Sequence, residues 1–226
     1  MAAMSGSAVR LQMFGAPGVG KGTQAAVLCG RLGIPHLATG DMLRAAIRGG
    51  TPEGLEARAI VERGELVPDA LISALVGARL ALPDMQDGFI LDGFPRTVGQ
   101  AEYLDRALGA SGRAVDAVVN ITVPEREIAA RLGGRRVCPS CGASYHVAFQ
   151  PPRTADVCDA CGGRLERRAD DAEDVVRGRL EVYVRQTAPV LEHYRAAGLL
   201  REVDGVGTPA EVSRRIEAVL VGLGRE

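Results

Sequence analysis

The stretch Gly15-Ala16-Pro17-Gly18-Val19-Gly20-Lys21-Gly22-Thr23 sets a lysine and a threonine among glycines. Lys21 is the chain's one lysine; the rest of its 27 basic residues are arginine. A bias toward arginine explains the rest but not where the exception stands. A glycine loop that cradles phosphates does explain it. A compact ammonium on a flexible stem reaches phosphate oxygens, and a planar guanidinium has the wrong shape for that task. The backbone N–H groups around Gly18, Val19, Gly20, Lys21, Gly22 and Thr23 would surround the β-phosphate of a nucleoside triphosphate. The helix that follows would add its positive N-terminus. The Thr23 hydroxyl would sit on Mg²⁺. The loop departs from the common pattern in placing Gly22 between Lys21 and Thr23. A tight turn with glycines for packing is the competing reading, and the apolar run before the loop and helical pattern after it favour phosphate.

Three further constellations carry chemistry. Phe89-Ile90-Leu91-Asp92 is an apolar strand ending in a carboxylate, and Asp92 can hold a water on the same Mg²⁺. Alone it would read as a turn aspartate before Gly93. Arg96 opens a helix and Gln100 is four residues on, so the two share a face. Together they can grip a phosphate and read a base edge; a solvated helix start is the plain alternative. Thr39-Gly40-Asp41-Met42-Leu43-Arg44 opens another helix, with Thr39 or Asp41 as its cap and Arg44 on the first turn. Separately, Cys138-Pro139-Ser140-Cys141 and Cys158-Asp159-Ala160-Cys161 form two C-x2-C pairs 16 residues apart, each followed by glycine. That spacing suits four thiolates on a tetrahedral Zn²⁺ with no open position, hence a structural metal. Paired disulfides, a redox C-x2-C and a nucleic-acid-binding zinc ribbon are the alternatives for this segment. Cys29, between apolar neighbours in a helix, reads as a core thiol.

These groups need elements to hold them. The pattern predicts strands over Val9 to Phe14, Ile34 to Ala38, Gly88 to Leu91, Ala114 to Val123 and Leu199 to Val203. Helices are predicted over Gly22 to Leu32, Asp41 to Arg48, Pro52 to Arg63, Asp69 to Ala81, Val98 to Leu108, Pro124 to Leu132 and Pro209 to Leu223. A long amphipathic helix is predicted from Asp170-Asp171 to about Ala197, interrupted by Pro189. Strands alternating with helices imply an α/β fold with a five-stranded parallel sheet covered on both faces. Between Gly133 and Asp171 apolar periodicity vanishes, and cysteine, glycine, proline and arginine take over. That segment is too polar to build an apolar core, and metal binding, worth ~10–16 kcal/mol in zinc-finger peptides, can replace one.

Composition narrows the class. The 226 residues are 46% hydrophobic and 24% charged, as in a soluble globular domain with room for inserts. A net charge of −1 gives no general field toward nucleic acid or acidic lipid. No apolar run reaches the roughly 18 residues of a membrane span. The small, polar first residues show no secretory leader and read as a flexible extension over 1–8. Five cysteines, one isolated, argue against a secreted disulfide scaffold and for a cytosolic, cytoplasmic protein.

The motifs in order, GxPGxGKGTQ over Gly15 to Gln24, TGDMLR over Thr39 to Arg44 and DGFPR followed by Gln100, resemble the adenylate kinases over nearly the whole chain. The first half is also similar to UMP/CMP kinases, which usually have a short lid. The resemblance implies transfer of a phosphoryl group from ATP to AMP, giving two ADP, with Mg²⁺ and a structural Zn²⁺. It implies a P-loop core over 9–37, 68–133 and 172–226, an AMP-binding flap over 38–67 and a zinc-bearing lid over 134–171. ATP contacts would come from the glycine loop, Arg131, Arg135, Ser144, Tyr145 and Gly207. AMP contacts would come from Thr39, Arg44, Glu65, Leu66, Val67, Gly93, Phe94, Pro95, Arg96 and Gln100. Lys21, Arg96, Arg135, Arg168 and Arg179 would stabilise the group in transit, the last two reaching both nucleotides' phosphates. Asp170-Asp171 would pair with the lid arginines. The resemblance further implies a monomer with no nucleic-acid and no membrane partner. A catalytically idle nucleotide sensor or a zinc-ribbon nucleic-acid binder is the rival function.

Overall fold

Alternation along the strands sets the architecture. In the computed structural model, which describes residues 9–221, the first strand β1 is Val9–Phe14. Its Leu11 and Met13 join one buried cluster, while Phe14 joins another on the opposite side. The same split holds in β3, Gly88–Asp92, where Ile90 and Leu91 go to opposite clusters, and in β4, Ala117–Thr122, with Val119 and Val118. A sheet that is apolar on both faces must be covered on both, which is the parallel α/β solution.

The sheet is five-stranded and parallel, in the order β2-β3-β1-β4-β7, with β2 His36–Ala38 and β7 Leu200–Asp204. One face carries α4 (Asp69–Leu80), α5 (Val98–Gly109) and α8 (Val190–Ala196), through Ile72, Leu104 and Tyr194. The other carries α1 (Lys21–Leu32), α6 (Glu125–Gly133) and α9 (Pro209–Val221), through Leu28, Ile128 and Ile216. Gln24 fastens α9 to α1: its amide donates to Pro209 O at 2.9 Å and accepts from Ser213 Oγ at 2.6 Å. The chain runs from β1 outward through β2 and β3, then crosses to β4 and β7. The order therefore reverses at β1, and the crevice at the strand C-termini there is where such sheets bind ligands.

Two inserts leave the core. The helices α2 (Thr39–Gly49) and α3 (Pro52–Glu62) pack tightly on each other between β2 and α4. Thr51 caps α3 through Gly54 N at 3.1 Å, with Pro52 in its first turn, as the sequence predicts. The second insert holds a two-stranded antiparallel ribbon, β5 (Arg135–Val137) with β6 (Ser144–His146). The predicted long helix is instead α7 (Glu173–Val182), a π-helical turn over Tyr183–Thr187, and α8. The turn closes with Ala188 N donating to Tyr183 O at 2.8 Å, so the break precedes Pro189. Other predicted elements recur with ends moved by a few residues, β4 being the most shortened. The expected 1–8 extension and the end of the last helix beyond Val221 lie outside the described residues. Among the described residues no helix is long and apolar enough to cross a membrane.

Candidate functional site

The site is built at the C-terminal edge of β1. The strand ends at Phe14, and Gly15, Gly18 and Gly20 then take φ of 134°, 85° and 103°, a region that disfavours L side chains. Close approach adds a second constraint: a Cβ on Gly18 would lie 2.8 Å from Leu132 Cγ. Gly20 is the N-cap of α1 and supplies no side-chain bond, so the helix's first N–H groups stay available at its positive end. Val19 is buried beneath the loop. Lys21 begins α1, and its Nζ folds back to donate to Gly15 O at 2.8 Å and Ala16 O at 2.9 Å.

Asp92 ends β3 next to this loop. A Cβ on Gly22 would meet Asp92 Oδ2 at 3.3 Å, so the carboxylate lies over the start of α1, where Thr23 follows. Burial pushes the Asp92 carboxyl up, but His36, Lys21 and Arg96 together outweigh it and hold the group below its ordinary value. His36 Nε2 is 3.6 Å from Asp92 Oδ2, a neighbour that the linear pattern does not announce. An anionic carboxylate and a hydroxyl are hard oxygen donors, the kind that suits Mg²⁺ directly or through water.

The cations gather in front of these groups. One cleft is lined by Gly15, Pro17 and Lys21, by Gly64 and Leu66, by Gly93, Pro95 and Arg96, and by Arg179, Tyr183 and Thr187. Burial, joined by repulsion from Arg96, Arg179 and Arg135 and opposed by Asp92, lowers the Lys21 ammonium to about 8. Burial, with Arg179 and Arg44, brings Arg96 down to about 10, and burial with Arg44 and Arg135 does the same for Arg168. Arg179 is lowered for the same reasons, against the pull of Asp170. Six cations thus crowd a site where their charges oppose one another. Carboxylates neutralise part of the excess. Arg135 pairs with Asp171, as the resemblance implies for the arginines of 134–171. Arg179 pairs with Asp170 at 3.0 Å, and Arg44 with Asp41 at 2.7 Å. Arg44 also reaches Asp170 at 3.9 Å, and Arg168 reaches Asp41 at 3.7 Å. Arg168 Nε is buried with no hydrogen-bond partner among the described residues. The arrangement is chemically a receptor for a polyanion.

On the α2 side the local chemistry differs from the sequence expectation. Neither Thr39 nor Asp41 caps α2; Ala38 is the N-cap, with no side-chain bond. The Thr39 hydroxyl is buried and donates to Asp92 O at 3.2 Å, a long-range bond that outcompetes the local one. Arg96 precedes α5, which Thr97 caps by accepting from Gln100 N at 3.2 Å. Arg96 and Gln100 still meet: Gln100 Oε1 accepts from Arg96 N at 2.7 Å, and Arg96 Nε donates to Gly93 O at 2.8 Å. Gln100 Nε2 donates to Asp69 Oδ1 at 2.7 Å, leaving its second N–H uncommitted among the described residues. Asp69 also accepts from Thr97 Oγ1 at 2.6 Å, a holding role invisible in sequence because it lies 28 residues away. Phe94 and Val67 are buried, and the Glu65 side chain turns out to pair with Arg63 at 2.9 Å.

Arg131 bridges the glycine loop and the end of β7, donating to Val19 O at 3.1 Å and Gly205 O at 2.9 Å. Gly207, φ 116°, follows in the loop before α9. Ser144 and Tyr145 lie on β6 of the ribbon insert.

In that insert the sulfurs of Cys138, Cys141, Cys158 and Cys161 all lie within 4.8 Å of one another. Two like-built turns bring them there. Gly142 N donates to Cys138 O at 2.9 Å and Gly162 N to Cys158 O at 2.8 Å. A Cβ on Gly163 would stand 3.2 Å from Cys138 Sγ and 3.3 Å from Cys161 Sγ, so a side chain there would press on the sulfurs. Four converging soft donors fit zinc. The remaining apolar content there is small: Leu165 with the two buried cysteines, and Ala143 and Tyr145 against them.

The family model described as "Adenylate kinase" matches residues 13–199. The adenylate kinase of Carboxydothermus hydrogenoformans is 50% identical over 212 residues, covering 94% of this chain and 99% of that protein. Those of Moorella thermoacetica and Methanocella arvoryzae are 51% and 50% identical, covering 96% and 92% of this chain and 97% and 96% of theirs.

Proposed function

The chain belongs to the adenylate kinase family, and from that premise we propose that it reversibly transfers the terminal phosphoryl group of ATP to AMP, giving two ADP. One observation carries the reading. Lys21, Arg96 and Arg179 line one cleft beside the glycine loop and Asp92, where Arg96, Arg179 and Arg135 depress the protonation of Lys21, and Arg179 that of Arg96. Mutual repulsion of that kind is relieved by phosphates lying between them.

In this reading Lys21 leaves the carbonyls of Gly15 and Ala16 for the β- and γ-phosphates, which the N–H groups of Gly18 to Thr23 also hold. Arg44 and Arg96 hold the AMP phosphate. Thr39, the strip Glu65 to Val67, Gly93, Phe94, Pro95 and the free N–H of Gln100 frame its base and sugar. An AMP phosphate oxygen attacks the γ-phosphorus in line, and the bond to the β–γ bridging oxygen breaks as ADP leaves. The acceptor is already ionised at neutral pH, so no general base is required. Arg135, Arg168 and Arg179 neutralise charge on the equatorial oxygens, exchanging Asp41, Asp170 and Asp171 for phosphate. Thr23 and Asp92 are the residues that would hold Mg²⁺, whose charge would offset that of the phosphates.

We assign 38–67 as the AMP flap and 134–171 as the lid, with Arg131, Ser144, Tyr145 and Gly207 around the ATP base. The contacts of Arg44 with Asp170 and of Arg168 with Asp41 support closure of the two over the substrates. Closure excludes water, the competing acceptor. Zinc on the four cysteines holds the lid together, and the protein works as a cytoplasmic monomer. The test is a panel of nucleoside monophosphates assayed with ATP and Mg²⁺. AMP is expected to be the best acceptor by a wide margin; a much faster rate with UMP or CMP would overturn the assignment.

A further inference from the structure

One hydroxyl in the cysteine-bearing insert is committed to a metal ligand. Tyr145 lies on β6, half-buried against Cys138, Cys158 and Leu165. Its oxygen accepts from Asp159 N at 2.9 Å and stands 3.5 Å from Cys158 Sγ. Since one lone pair faces that amide, the hydroxyl's own hydrogen is free for the sulfur. Among the described residues this oxygen makes no other hydrogen bond. A metal-bound cysteine is a thiolate with no proton to give, so the direction of the bond is fixed: tyrosine donates, sulfur accepts.

The environment makes the donor matter. Cys141 and Cys161 are exposed residues, whereas Cys138 and Cys158 are buried, Cys158 being 2% exposed. Four thiolates around a divalent ion leave net negative charge on the sulfurs, and a buried share of it needs a hydrogen bond. No other side-chain hydroxyl among the described residues is hydrogen-bonded to a cysteine sulfur. The same phenol holds the amide of the next residue, Asp159, so it grips the second cysteine turn by side chain and backbone together.

We propose that Tyr145 is the outer-sphere positioning residue of the metal centre, donating to the Cys158 thiolate and fastening the second cysteine turn to β6. The inference rests on the cysteines holding a metal and not on the transfer reaction. It has one consequence for the proposed activity. β6 carries the Ser144-Tyr145 strip assigned to ATP, so loosening this bond affects ATP before AMP.

The test uses the full-length zinc protein and its Tyr145→Phe variant, which removes one oxygen and keeps the ring. Competition with a chromophoric chelator is expected to show about tenfold weaker zinc binding in the variant. With cobalt(II) exchanged for zinc, its sulfur-to-metal charge-transfer band should move to longer wavelength, because a sulfur without the hydrogen bond yields its electron more readily. A ring that only packs would not move that band. Replacing Tyr145 by 3-fluorotyrosine keeps the packing and makes the hydroxyl a stronger donor, so the band should move the other way. The KM for ATP should rise severalfold in Tyr145→Phe with the KM for AMP unchanged. Zinc affinity within twofold of the parent, with the band unmoved in both variants, would overturn the proposal whatever the activity.

Discussion

Replacing Lys21 by methionine separates stability from catalysis in a calculable way. The ammonium is held from 10.5 down to about 8, chiefly by burial and then by Arg96, Arg179 and Arg135. A base with a lowered pKa in the folded state weakens the fold while it is charged. Its contribution is lost as pH falls through 8 and is recovered as pH rises from 8 toward 10.5. The slope in that window is about 1.4 kcal/mol per pH unit. Integrated from pH 7.5 to 9.5, the parent should gain about 2 kcal/mol relative to Lys21→Met. Other titrating groups are common to both proteins and cancel in the difference. The variant also gives up the bonds to Gly15 O and Ala16 O, which shifts its stability by a constant and leaves the pH dependence intact. Urea unfolding of both nucleotide-free proteins at the two pH values measures the effect. Turnover of ATP with AMP should fall by roughly 10³-fold, the scale for losing a charge-stabilising donor. Parallel pH dependence in the two proteins, or turnover within tenfold of the parent, would refute the argument that this lysine is a strained cation awaiting phosphate.

Two further substitutions probe the other halves of the site. Arg96→Lys keeps the charge but loses the planar fork and the bond from Nε to Gly93 O, so the KM for AMP should rise tenfold or more while the KM for ATP changes little. Steady-state kinetics in each substrate reads the split. Cys138→Ser, or a strong chelator, should lower the melting temperature of the cysteine-bearing insert while the sheet's own transition persists, because the insert has only a small apolar cluster of its own. Calorimetry follows both transitions, and metal analysis of the parent should find one zinc per chain.

Much of this was legible in the chain because it is local. The glycine loop, the two cysteine turns and Thr51 with Pro52 at α3 are contiguous signals, and the alternation of apolar runs gave the strand–helix order. What stayed hidden depends on distance or on small changes of period. Thr39 spends its hydroxyl on Asp92 O, 53 residues on, instead of on its own helix. Asp69 holds Gln100 and Thr97 from another helix. The π-helical turn at Tyr183–Thr187 adds one residue to one turn, which apolar spacing does not register. Neither the strand order nor the place of Asp41 among the arginines follows from any local pattern. The pairing of Asp171 with Arg135 matches what the family resemblance implies for Asp170-Asp171 and the lid arginines, not any local pattern.

In the proposed reaction two nucleotides lie end to end with their phosphates between the glycine loop and Arg96. A crystal structure with a mimic joining two adenosines through five phosphates puts that placement to the test. The phosphate chain should run from the Lys21 ammonium to the Arg96 guanidinium, with Arg135, Arg168 and Arg179 around its middle. Density for the compound anywhere else on the protein would contradict the account.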